Sequence, residues 1–113
     1  MEITTTTTDT EITYTMIDEG VAVGELIAHT TGLILNVEVT TDRQGEGIAR
    51  QLFEYADAEQ GLYHIPSWGR TEDGDGFAEA MGGDTMDDAQ AAKIVGFDLT
   101  DYQDMLSAYA EAA

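Results

Sequence analysis

The sequence lacks cysteine altogether, contains one proline and has only four basic residues among 113. Without a thiol the chain can form neither a disulfide nor a thiolate metal site, and it has no cysteine nucleophile. It also lacks an apolar run of membrane-spanning length and a basic-then-apolar leader. We therefore expect no membrane partner. The two histidines, His29 and His64, are isolated and lack the spacing of a zinc site, so we expect no metal.

Basic side chains are outnumbered by carboxylates, 4 to 23, which gives a formal net charge of −19. A chain this acidic repels nucleic acid and anionic lipid, so we expect no nucleic-acid partner. The carboxylates are spread between apolar positions along every segment, which is typical of a folded acidic surface and not of a disordered tail. With 42% hydrophobic residues, the chain is long enough for one domain with a core.

The N-terminal third has the composition of β-structure. Residues 3–17 are rich in β-branched side chains, which predicts a strand, or an extended arm followed by a strand. Asp18, Glu19 and Gly20 predict a three-residue hairpin loop before a strand over 21–29. A turn at 30–32 leads to a strand over 33–39. The sequence thus predicts three antiparallel strands.

Helical spacing begins after residue 45. Apolar positions Ile48, Leu52, Tyr55 and Ala56 predict a helix over 45–60 that Gly61 ends. A short strand is expected over 62–66, where proline ends it.

Three more helices are predicted in the C-terminal half. Thr71 can cap the first, which ends at glycines 82 and 83 and buries Phe77, Ala80 and Met81. The others are expected over 87–95 and from residue 100 to the end.

The most informative stretch is residues 37–53, where a β-branched run meets a glycine-bearing turn and an amphipathic helix. Such a junction presents unpaired backbone N–H groups at the positive end of a helix dipole. Glycines there let an anion approach the main chain closely, so a pyrophosphate would fit.

Gln44, Gly47 and Ala49 fill the motif of the GNAT superfamily, the acetyl-CoA-dependent N-acetyltransferases: Gln or Arg, two residues, Gly, one residue, then Gly or Ala. The resemblance runs from about residue 12 to 83. It implies an α+β fold with a GNAT-like mixed, mostly antiparallel sheet, packed helices and, here, a helical C-terminal tail. The single domain, 1–113, would comprise a Thr-rich arm over 1–11, a GNAT-like core over 12–83 and the tail over 84–113.

The resemblance also implies a site for acetyl-CoA. In the family, the fourth and fifth strands separate, and the pantetheine arm pairs with the fourth strand. The residues expected to bind the cofactor are Val37, Val39, Gln44, Gly45, Glu46, Gly47, Ile48 and Ala49. Glu46 departs from the family pattern because Lys or Arg is usual there, and its carboxylate opposes a phosphate.

Other departures affect catalysis. The family commonly uses a tyrosine on the helix after the fifth strand to protonate the departing thiolate, and alignment by Gly82 puts Ala78 there. Tyr63 and Tyr102 are alternative acids, or aromatics of the core or its rim. In the family, an N-terminal strand with two helices and a final hairpin form the acceptor pocket, and by this resemblance we expect both surfaces to be missing here. The catalytic residues therefore stay unknown.

Two side chains with titratable groups have two interpretations each. His64, on the expected fifth strand, is either a general base or a hydrogen-bonded structural histidine. Glu38 is either a base or part of a solvated face, and strand alternation puts it opposite Val37 and Val39.

Residues 64–83, HIPSWGRTEDGDGFAEAMGG, resemble short GNAT-like proteins encoded by tailed viruses. In this segment Arg70 is a candidate for an anion or carboxylate contact and Trp68 a candidate interface anchor, or both pack locally. The acidic, lysine-poor composition resembles proteins of salt-accumulating halophilic archaea and their viruses. The resemblance implies a location in a virion or in the cytoplasm of a high-salt host.

The sequence leaves two functions open. One is a GNAT-fold protein with a degenerate catalytic site that acts as a structural or assembly component, plausibly in the virion of a tailed virus of a halophilic archaeon, with protein partners or other copies of itself. The alternative is a minimal N-acetyltransferase that moves acetyl from acetyl-CoA to an amine.

Overall fold

The computed structural model describes residues 1–96, and its central element is a four-stranded antiparallel sheet in the order β1-β2-β3-β4. The strands are β1 (Glu2–Thr7), β2 (Glu11–Asp18), β3 (Val21–His29) and β4 (Ile34–Val39). The helices are α1 (Ile48–Gln60), α2 (Glu72–Met81) and α3 (Asp88–Val95). The predicted helix from residue 100 lies outside the described residues.

The first expected strand is in fact two. The Thr8 side chain accepts hydrogen bonds from the main-chain N–H groups of Thr10 and Glu11, and the Thr8 N–H donates to the Glu11 carbonyl at 2.8 Å. These bonds make a tight turn, because a threonine hydroxyl can replace a backbone partner. The prediction of three strands was therefore wrong, and residues 2–7 pair with β2 as a strand of their own.

The loop between β2 and β3 is also shorter than predicted. Asp18 and Val21 are paired, so only Glu19 and Gly20 connect the strands, and both have positive φ, 51° and 79°. Two residues of positive φ form the hairpin turn whose twist matches the flanking strands.

Helix α1 packs across β2, β3 and β4 and buries Ile48, Leu52, Phe53 and Ala56. Phe53 is buried where the periodicity predicted Tyr55, which is 39% exposed. Gly24 of β3 lies beneath this helix, and a Cβ there would approach the Ile48 Cγ2 atom to 2.7 Å. Glycine at this position therefore sets how closely α1 approaches the sheet.

Helix caps follow the sequence closely. The Thr71 hydroxyl accepts a hydrogen bond from the Gly74 N–H at 3.0 Å, and the Gly61 and Gly82 N–H groups bond to the helix carbonyls of Asp57 and Ala78. On α2, Ala78 is buried and Phe77 and Met81 are half-buried, whereas Ala80, predicted as buried, is exposed.

The expected strand over 62–66 is reduced to two isolated bridges. Tyr63 bridges Leu33 and His64 bridges Thr85, both in parallel orientation. These bridges add the parallel component to an otherwise antiparallel sheet. A second small core forms beyond them, on Leu33, Met86 and Ala91, with α3 packed against it.

Candidate functional site

An open cleft of about 690 Å³ lies between β4 and the segment 64–78. At the start of β4, the Ile34 N–H donates to the Tyr63 carbonyl at 2.9 Å and the Tyr63 N–H donates to the Gly32 carbonyl at 2.8 Å. Within residues 1–96 no further main-chain hydrogen bond joins the two segments, because His64 bonds instead to residues 84 and 86. The two parallel segments thus separate, and the cleft opens where they part.

The free edge of β4 faces this cleft with main-chain groups that β3 does not pair, and of these the Val39 carbonyl accepts a hydrogen bond from the Gln44 side chain. The Thr40 N–H donates to the Val23 carbonyl, and main-chain direction alternates along a strand, so Glu38 and Asn36 direct their groups toward β3. Val37 and Val39 therefore direct theirs away from β3. This is the edge along which an extended ligand with amide groups can pair.

Side chains on β4 follow the same alternation. Val37 and Val39 pack against the main core, whereas Glu38 is exposed. The prediction that Glu38 lies on the opposite face is confirmed.

The glycine-bearing turn lies at one end of the cleft. Gly45 and Gly47 have φ of 85° and 81°, and a Cβ on either would meet no atom within 4 Å. The first helical bond of α1 runs from the Gln51 N–H to the Gly47 carbonyl at 3.0 Å. In the described part of the chain, the N–H groups of residues 45–50 have no acceptor. These donors, at the positive end of the helix dipole, suit a phosphate.

The eight residues predicted to bind the cofactor fall into three groups. Val37, Val39, Gln44 and Ala49 line the cleft. Gly45, Glu46 and Gly47 form the exposed turn beside it, whereas the Ile48 side chain is buried and only its N–H group faces outward with the turn. The Gln44 side chain donates to the Val39 carbonyl at 3.2 Å, which ties the turn to the end of β4.

Glu46, the carboxylate that opposes a phosphate, is held in an ion pair. The Arg43 guanidinium contacts Glu46 at 2.9 Å and Asp18 at 2.9 Å. The hydrogen bond to Glu46 is the largest cause of a raised pKa of Arg43, and the hydrogen bond to Asp18 is the next largest. The pair draws the Glu46 charge toward Arg43, so the turn is less repulsive to an anion than the sequence alone indicates.

Arg70 builds the opposite wall of the cleft. Its guanidinium donates to the Ile65 carbonyl at 2.7 Å, to Asp75 at 3.1 Å and to the Thr85 hydroxyl at 3.0 Å. Three partners from three segments hold residues 65–75 in place. The structure thus gives Arg70 a carboxylate contact, to Asp75 of the same chain, together with local packing. No local sequence motif indicates these partners, because they lie 5 to 15 residues from Arg70.

His64 is buried, with 5% of its surface exposed, and its Nε2 atom lies 2.6 Å from the Gly82 carbonyl. Because a carbonyl only accepts, the Nε2 atom is the donor. The ring stacks on Phe53 at 5.5 Å between centroids and meets Phe77 edge-on. Of the two interpretations of His64, these contacts support the hydrogen-bonded structural histidine. His64 also lines the cleft.

The structure places no aromatic hydroxyl among the described residues that line the cleft. Ala78 lines it at the position where the family resemblance expects a tyrosine. Tyr63 packs over Gly32 instead, and Tyr102 lies outside the described residues. Trp68 is half-buried against the second core, and its indole N–H donates to Asp88 at 3.2 Å.

The described helices include none long and apolar enough to cross a membrane. Within residues 1–96, no group of three His, Cys, Asp or Glu side chains could hold a metal ion.

No protein-family model matches the chain, and no curated protein matches it. Among solved structures, it is similar to AAC(6')-Iy in complex with the bisubstrate analog CoA-S-monomethyl-acetylneamine. The TM-score is 0.55 at 16% sequence identity, over 71% of this chain and 66% of that one. A likeness at this identity concerns the fold, which is α+β and GNAT-like as predicted.

Proposed function

We propose that this chain is a minimal member of the GNAT superfamily that binds acetyl-CoA in the cleft beside β4 and passes the acetyl group to an amine. The observation that carries the proposal is the cleft itself. Side chains do not fill it, and unpaired main-chain donors line both the β4 edge and the turn at its end. The structural neighbour was solved with a CoA-containing bisubstrate analog, which supports the same ligand class here.

The residues present fit such a ligand in two places. The outer edge of β4 offers the N–H groups of Val37 and Val39 and the Val37 carbonyl to an amide-containing pantetheine arm, while the Val39 carbonyl is bonded to Gln44. The N–H groups of residues 45–50 offer donors to a pyrophosphate, and the open space above Gly45 and Gly47 lets it approach. Acetyl-CoA bound there would supply an activated thioester.

The chain contributes positioning more than acid–base groups. A neutral amine needs a free approach and a proton acceptor, and the carboxylate-bearing residues that line the cleft are Glu38 and Asp73. Neither forms an ion pair among the described residues. They attract a cationic amine, and Glu38, on β4, is the candidate base. Ala78 cannot donate a proton, so solvent supplies the acid in this proposal.

A binding measurement tests the proposal. We expect millimolar acetyl-CoA in molar KCl to raise the melting temperature of the protein by several degrees, because a ligand that binds only the folded state stabilises it. Gly47→Glu places a carboxylate among the proposed phosphate donors and should abolish the shift.

Gly47→Ala is the matched control. It imposes the same strain of positive φ on the turn without adding charge, so it should lower the melting temperature of the free protein yet retain part of the shift. A wild-type shift that Gly47→Glu leaves intact would contradict binding at this turn.

A second candidate function is a structural or assembly role with a degenerate catalytic site, as expected for a virion component of a tailed virus of a halophile. Ala78 in place of a hydroxyl-bearing residue supports it, as does the strongly acidic surface. In this role the protein would be found in stoichiometric amounts in purified particles. An acetyl-transfer assay distinguishes the two functions. The CoA thiol that acetyl transfer releases can be measured without a background signal, because the chain contains no cysteine.

A further inference from the structure

Among residues 1–96, no strand pairs with the outer edge of β1. β1 lies at the end of the sheet and pairs only with β2 in the described part of the chain. Its register runs without a shift from Glu2 opposite Ile17 to Thr7 opposite Ile12. By contrast, a bulge interrupts the pairing of β2 with β3, and another the pairing of β3 with β4. β1 is thus the regular edge of this sheet.

The direction of the main-chain groups on β1 follows from the turn beside it. The Thr8 N–H donates to the Glu11 carbonyl, so even-numbered residues of β1 direct their groups toward β2. Ile3, Thr5 and Thr7 therefore direct theirs outward. Each leaves one donor and one acceptor unpaired within residues 1–96.

This edge carries none of the usual devices against strand pairing. Proteins protect edge strands with lysine, proline, bulges or inward-pointing charges. β1 reads EITTTT, with a single charge at its first residue and β-branched side chains at the other five positions. All six residues except Ile3 are exposed.

We propose that two copies of this chain pair in antiparallel fashion through β1, with a two-fold axis at Thr5. Ile3 of one copy then lies opposite Thr7 of the other, and Thr5 lies opposite Thr5. In this register every outward donor meets an outward acceptor. Residues opposite each other have the same parity, so both α1 helices lie on the same face of one continuous sheet.

The charges fit this register. Glu2 lies opposite Thr8, Thr4 lies opposite Thr6, and no two carboxylates face each other along the strand. The remaining obstacle is long-range repulsion, since each copy carries a net charge of −19. In molar salt the Debye length falls to about 3 Å, which removes most of it. The dimer therefore forms at high salt and dissociates at low salt.

Cysteine crosslinking tests the register, because the natural chain has no thiol. Directly opposite, hydrogen-bonded residues have Cα atoms about 5.5 Å apart, within the reach of a disulfide. Thr5→Cys should therefore oxidise to a covalent dimer in molar KCl. Thr4→Cys is the matched control, because its counterpart lies diagonally at about 7–8 Å and should not crosslink.

Sedimentation velocity tests the interface itself. The full chain in molar KCl should show a concentration-dependent dimer. Thr5→Pro removes an outward N–H and spares the bonds to β2, so it should weaken the dimer about tenfold or more while circular dichroism stays native. Thr5→Val keeps the N–H and should keep the dimer. A wild-type chain that stays monomeric up to millimolar concentration, or a dimer that Thr5→Pro leaves intact, would overturn the proposal.

Discussion

At the scale of single residues, Arg43 decides how an acidic turn can accept an anion. It contacts both Asp18 and Glu46 at 2.9 Å. We predict that Arg43→Gln weakens acetyl-CoA binding about two- to fivefold, because exposed ion pairs contribute little each and salt screens them. Isothermal titration in molar KCl measures the change.

The double variant Arg43→Gln, Glu46→Gln controls for this effect. With the carboxylate also removed, affinity should return to the wild-type value or exceed it. Equal weakening in the single and double variants would show that the Glu46 charge has no part in binding.

Tyr14 gives a prediction for pH. Its hydroxyl donates to the Gln60 side chain at 2.6 Å, and burial, followed by the charge of Glu59, raises its pKa above the ordinary 10.0. A raised pKa in the folded state means that the free energy of unfolding is independent of this group below pH 10 and falls as the pH rises through the folded pKa. Urea unfolding between pH 8 and 12 should show the fall.

Tyr14→Phe is the comparison. It should lose about 1 kcal/mol at neutral pH, since the Gln60 acceptor loses its donor, and its stability should fall less steeply above pH 10. If the free energy of unfolding falls equally steeply above pH 10 in the two proteins, the fall does not come from Tyr14.

At the scale of elements, the contact of α1 with β3 depends on the absence of a side chain at Gly24. A Cβ at Gly24 would lie 2.7 Å from Ile48 and 3.2 Å from Leu52. We predict that Gly24→Ala destabilises the fold by about 1–3 kcal/mol through overpacking. Gly76→Ala, inside α2 where a Cβ meets nothing, should instead stabilise by about 0.5–1 kcal/mol.

Chemical denaturation of both variants measures the two changes in the free energy of unfolding, which should have opposite signs. If Gly24→Ala is as stable as the wild type, α1 approaches the sheet less closely than the structure has it.

The local elements could be predicted from sequence, and the pairings could not. The Thr71 cap and the Gly61 stop depend on residues within five positions, so the start of α2 and the end of α1 could be predicted, whereas α1 starts at Ile48 and not at residue 45. The turn at Thr8 was missed because threonines flank it on both sides and Asp9 is the one turn-favouring residue in the run. The segment 62–66 was predicted as a strand, yet its neighbours on both sides pair with it at Tyr63 and His64 only.

The candidate site divides in the same way. The glycine turn is a local motif, so its residues could be identified before the fold was known. The Arg70 contacts, the His64–Phe53 stack and the free edge of β4 depend on tertiary packing, which no spacing in the sequence encodes.

At the scale of the whole molecule, net charge dominates. Because one small domain carries a formal net charge of −19, self-repulsion opposes the compact state at low salt. We predict that the melting temperature rises steadily from millimolar to molar KCl. Sucrose, which adds no ions, should raise it much less, and a melting temperature independent of KCl would contradict the electrostatic account.

In the proposed function, main-chain donors of the turn and of β4 hold an acyl-CoA. Amide chemical shifts of isotope-labelled protein, followed by NMR during a titration with acetyl-CoA in molar KCl, test it most directly. Binding at these donors should give saturable shifts concentrated at residues 45–50 and at Val37 and Val39. Shifts absent from both segments at millimolar acetyl-CoA, or confined to the β1–β2 hairpin, would contradict it.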